Sequence, residues 1–79
     1  MREREMWNLE GERIEGFYLS GDVKVRGVVT LSRVTYGGEV THHVVLDKGF
    51  SWKNGAVKRD AGETVIVDHK YVTRVMSAA

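Results

Sequence analysis

The residues best suited to chemistry in this chain gather in one stretch. Phe50, Trp52, Lys53, Lys58 and Arg59 interleave aromatic rings with cations across residues 50–59. Aromatic faces stack on unpaired bases, and neighbouring cations meet the phosphates between them. Lys24 and Arg26, two positions apart, would lie on one face of a strand and add two more phosphate contacts. These seven residues are the candidate surface for RNA or another single-stranded nucleic acid. The same pattern also describes an amphipathic hairpin, with Trp52 covering the core margin or a subunit interface and Arg59 stacked on Phe50. Outward cations on a strand also serve simply to keep a sheet soluble.

Other chemistries find less material. His42 and His43 are neighbours, and neighbouring strand residues point to opposite faces, so the two do not chelate one ion. A meeting of His43 with His69 and Asp68 would be needed to build a metal site, and none is expected. Cysteine is absent, which removes thiolate ligands, thiol nucleophiles and disulfides. No nucleophile elbow, phosphate-binding loop, dinucleotide fingerprint or zinc-protease motif occurs. Asp47, Asp60 and Asp68 fall at strand ends or turns, where Asp bonds its own backbone. The expectation is a chain without catalytic residues or cofactor.

The elements that must position the candidate surface are strands. Val23, Val25, Gly27, Val29 and Leu31 alternate with Lys24, Arg26, Thr30 and Ser32, a period of two. Gly37-Gly38 then reads as a two-residue hairpin turn, followed by a third strand at residues 40–46. That turn sets Leu31 opposite Val44, Val29 opposite Leu46, Ser32 opposite His43 and Thr30 opposite Val45. Gly27, in the middle of a long strand, predicts a bend or bulge that curls the sheet. Asn54-Gly55 is a stronger turn signal. It sets Trp52 opposite Val57 and Phe50 opposite Arg59. Residues 13–19 form a first strand, Ser20-Gly21-Asp22 a turn, residues 64–67 a further strand, Asp68-His69-Lys70 a tight turn and residues 71–76 a last strand. Val23, Val25, Val29, Leu31, Val44, Leu46, Val65, Val67 and Val72 are the expected core. Residues 1–11 are an arm or short helix from which Trp7 and Leu9 dock on the domain. The domain itself covers 12–76, and 77–79 are a free tail.

The closing segment Val67-Asp68-His69-Lys70-Tyr71-Val72-Thr73-Arg74-Val75 resembles the end of SH3-like barrels, in which a single helical turn and Tyr-Val lead into a short last strand. It is also similar to the second half of the Sm-like fold, as is Val44-Val45-Leu46-Asp47. The resemblance spans about residues 17–76. It implies an all-β fold, a small partly open antiparallel barrel of five to six strands. It does not carry over the RNA-binding residues of Sm proteins, because the corresponding loops here read Tyr36-Gly37-Gly38-Glu39 and Asp68-His69. Nor are the clustered aromatics of peptide-binding SH3 domains present beyond Phe17 and Tyr18.

Size and charge narrow the partners. A chain of 79 residues buries only about 60–65% of its unfolded surface and gains from self-association. A homo-oligomer is expected, by edge-strand pairing or by docking of Trp7, Phe50 and Trp52. The net charge of +1 gives no global field for a polyanion, so any nucleic-acid role needs a local patch. No apolar stretch reaches membrane-spanning length, and the charged first residues do not form a secretion signal, so the expected compartment is the cytoplasm. The expected function is a non-enzymatic binding or assembly module, with RNA or single-stranded nucleic acid as leading ligand. The alternative is a protein–protein adaptor of phage, plasmid or bacterial accessory type.

Overall fold

The computed structural model describes residues 7–18 and 21–76. Readings that rest on residues 1–6, on Leu19 and Ser20, and on the tail 77–79 lie outside the described residues. Seven strands are present among those described: β1 (Arg13–Tyr18), β2 (Val23–Val34), β3 (Val40–Leu46), β4 (Phe50–Trp52), β5 (Val57–Arg59), β6 (Thr64–Asp68) and β7 (Val72–Val75). One five-stranded antiparallel sheet runs in the order β6-β3-β2-β1-β7, and β4 and β5 pair as a separate hairpin. The domain is all-β. A 3-10 turn, His69–Tyr71, joins the two edge strands.

The core follows the period-two pattern. Ile14, Val23, Val25, Val29, Val44, Leu46, Val65 and Val67 are buried together, and Leu9, Tyr18, Phe50, Trp52, Tyr71 and Val72 close its rim. Val72 is thus half-buried rather than central. Residues 7–12 are turns, not helix, and they dock by main-chain bonds: Gly11 N–H donates to the Val29 carbonyl at 2.7 Å.

Two features change the register of β2 and β3. The loop at their tip is not the two-residue turn read from Gly37-Gly38. Gly38 N–H donates to the Thr35 carbonyl at 2.9 Å, and Gly38 alone in this loop has positive φ, at 88°. This is a three-residue loop, a turn followed by a left-handed glycine. Farther in, a bulge between Val29 and Leu31 shifts the register again, so Val29 opposes Val44 and Leu31 opposes His43. Ser32 then faces His42, not His43. The bulge falls at Thr30 and not at Gly27, which remains in register opposite Leu46.

One extra residue reverses which side chains face inward beyond it. Ser32 turns into the fold, and Leu31, expected in the core, is 40% exposed. Leu31→Ala should therefore change stability by less than about 1 kcal/mol in urea melts. A loss above about 2 kcal/mol would return Leu31 to the core.

Candidate nucleic-acid interface

The strand alternation that buries Val23 and Val25 sends Lys24 and Arg26 outward. Across the β1–β2 pair, Arg26 lies opposite Glu15. The Glu15 carboxylate is nearly covered, and one of its oxygens, Oε2, receives both cations, Arg26 Nη2 at 2.9 Å and Lys24 Nζ at 3.4 Å. The Arg26 hydrogen bond, helped by Lys24 and outweighing partial burial, holds the Glu15 pKa below the usual carboxylate value. The same pairing raises that of Arg26. The two cations read from the sequence as outward phosphate contacts therefore share a carboxylate. Glu15 was not visible as part of the site because only strand register places it there.

Lys24, Arg26 and Phe50 line one cleft of about 330 Å³, together with Glu15, Val25, Asp47, Lys48 and Gly49. The loop between β3 and β4 forms one wall, anchored where Asp47 N–H donates to the Arg26 carbonyl at 2.9 Å and its carboxylate pairs with Arg13. Gly49 allows this loop to press close to the β5 exit, since a Cβ there would sit 2.6 Å from the Arg59 carbonyl oxygen. Phe50 is set by an edge-to-face contact with Tyr18, centroids 5.9 Å apart.

Trp52, Lys53, Lys58 and Arg59 continue from Phe50 along the β4–β5 hairpin rather than lining the cleft. The hairpin has the register read from Asn54-Gly55: Trp52 opposes Val57 and Phe50 opposes Arg59. Lys53 and Asn54 both have φ of 56° and Gly55 has 91°, and Ala56 N–H donates to the Lys53 carbonyl at 3.0 Å. The cation over an aromatic face is Lys53, 4.7 Å from the Trp52 ring centroid. Arg59 instead donates to the Lys58 carbonyl at 2.8 Å, so the expected stack of Arg59 on Phe50 gives way to a backbone contact. Lys53 and Lys58 are exposed, and Trp52 and Arg59 are half-buried.

The histidine that meets His69 is His42, not His43. His42 is fully buried in β3, its Nδ1 is 2.7 Å from Ser32 Oγ and its Nε2 is 2.8 Å from His69 Nδ1. Leu9 N–H donates to the same Ser32 oxygen at 3.1 Å. One assignment satisfies every group: the serine hydroxyl donates to His42 Nδ1, and His42 Nε2–H donates to His69 Nδ1. Ser32 is itself buried, so its hydroxyl is a structural link and not an exposed nucleophile. Among the described residues no group of three or more His, Asp or Glu side chains could hold a metal ion.

Comparison with protein families, with curated proteins and with solved structures finds no match to this chain.

Proposed function

We propose that this chain is a non-enzymatic binding and assembly module that takes RNA or another single-stranded nucleic acid along the cleft and the β4–β5 hairpin, and that it works as a homo-oligomer. The observation that carries the reading is the cleft, in which Lys24 and Arg26 stand beside Phe50. An unpaired base has an aromatic wall there, and the next phosphates fall toward Lys53 and Lys58 on the hairpin. We also read the fold as a small partly open barrel of SH3-like or Sm-like kind. Two features support this: the 3-10 turn joining the edge strands, and the approach of β1 to β6 across the core.

The test is fluorescence anisotropy with labelled 12-nucleotide RNA of mixed sequence. About three phosphate contacts give a slope near −2 in log affinity against log salt. Lys53→Ala with Lys58→Ala removes two of those contacts and should flatten that slope by about 1.4. Glu15→Gln should tighten binding, because it releases Lys24 and Arg26 to the ligand. Absence of binding at low salt would leave the protein-adaptor reading in its place. Weaker binding by the Glu15 variant would remove the cleft from the interface.

A further inference from the structure

We infer that the open edge of β6 is a two-fold interface, on which a second copy of this chain pairs its own β6 antiparallel about Ile66. The inference rests on the self-association in the proposed function and names the surface that performs it.

The edge of β6 offers a fixed set of backbone groups. β6 is the last strand of the sheet on its side, paired only with β3. Leu46 N–H donates to the Glu63 carbonyl at 2.9 Å. In an antiparallel ladder the residues directed at one neighbour alternate. Glu63, Val65 and Val67 therefore direct their main-chain groups to β3, and those of Thr64, Ile66 and Asp68 face away. These three positions are symmetric about Ile66. An axis at Ile66 pairs its N–H and C=O with those of Ile66 in the second copy, and sets Thr64 opposite Asp68 on either side.

The side chains have the same symmetry. Thr64-Val65-Ile66-Val67-Asp68 reads almost identically in both directions. Antiparallel pairing about Ile66 sets Val65 beside Val67 of the second copy on the inner face and the two Ile66 side chains together on the outer face. A self-complementary surface of this kind is what a two-fold interface requires. Edge strands that avoid pairing carry lysine, proline or a bulge. β6 has none of these along its length.

The outer face supports the same occupant. The register places Leu31, His43 and Ile66 side by side across β2, β3 and β6. Leu31 is 40% exposed and Ile66 51% exposed. Pairing at β6 makes this stripe continuous with its copy and covers both isoleucines. One five-residue edge is smaller than a standard stable interface, so the dimer should dissociate at roughly 10–100 μM.

Sedimentation and light scattering of the full chain, from about 5 μM to 1 mM, read the result. The expected mass rises from 8.9 kDa toward twice that value and no further. Ile66→Lys and, separately, Thr64→Lys should keep the wild-type circular dichroism and weaken dimerisation at least about 100-fold. Val75→Lys, at the other edge of the sheet, should dimerise normally. A ring of three or more copies, as head-to-tail pairing of β6 with β7 would produce, overturns the two-fold interface and leaves self-association standing. A dimer that survives both β6 substitutions does the same. A monomer at 1 mM overturns self-association itself, and the interface with it.

Discussion

Replacing Gly27 with alanine should cost the domain much or all of its stability. A Cβ at Gly27 would overlap the main-chain carbonyl oxygen of Val45, and would lie 2.8 Å from the carbonyl carbon and 2.9 Å from Val44 Cγ1. The obstacle is backbone of the neighbouring interior strand β3, which cannot rotate away as a side chain would. Gly27 also sits at the middle of the sheet, opposite Ile14 on one side and Leu46 on the other. Relief requires the β2–β3 ladder to separate where Val29, Val44 and Leu46 are buried. We expect a loss of about 4 kcal/mol or more, beyond the usual range for overpacking, against a total stability of roughly 4–12 kcal/mol for a chain of this length. The control is Gly37→Ala, at the exposed hairpin tip, where an added Cβ meets nothing within 4 Å. Circular dichroism and urea melts of both variants give the answer. A cooperative Gly27→Ala transition within about 1 kcal/mol of wild type would show that the β2–β3 approach is looser than described.

Acidification should destabilise the domain through His42 before Glu15 contributes. Burial, reinforced by the nearby charge of His69, lowers the His42 pKa from 6.5 to about 4. Between those values the unfolded chain binds a proton at this position and the folded chain does not. Stability therefore rises with pH across that window, is complete above about 6.5 and falls as the pH drops toward 4. The loss should be about 2 kcal/mol, less than the full shift implies, because exposed His69 lets solvent screen the pair. Glu15 acts in a separate window. Its pKa is lowered by Arg26, so its contribution is present above 4.5 and disappears as the pH falls through its lower folded value. Urea midpoints from pH 8 to pH 4 should decline below 6.5, and His42→Gln should flatten the decline. Equal stability at pH 7 and pH 4.5 would rule out a neutral, buried His42.

The legible parts of the fold were those written in local chemistry. Asn54-Gly55 set the hairpin register residue for residue, because both central positions of that turn require positive φ. The alternation through Val23, Val25 and Val29 named most of the core. What the residues did not show was parity beyond Val29. Val28-Val29-Thr30-Leu31 presents an apolar side chain on either face, so an alternating pattern fits with or without an inserted residue. The bulge decided it, and Leu31 moved outward while Ser32 moved inward. In the sequence His42 stood only as the strand neighbour of His43. It is central because Ser32 and His69 satisfy both ring nitrogens, a condition set by two register shifts and a turn nearly thirty residues away. The candidate site was legible as a set of aromatics and cations. Its grouping was not: Lys24 and Arg26 join Phe50 through the β3–β4 crossing, and their shared counter-charge comes from β1.

The strand order has a consequence for how the chain emerges from synthesis. β1 lies between β2 and β7, so β1 waits for β7 to complete its second edge. A hairpin of β2 and β3 has its partners at hand early. The pairing of Ile14 with Val75 closes a loop spanning most of the chain, and the entropy of that closure must be met before its contacts form. A nascent chain halted anywhere before β7 holds β1 with one side unpaired, and Ile14 and Gly16 lack the neighbours that seal them. The sheet is thus completed only once β7 is available, rather than strand by strand as the earlier strands appear.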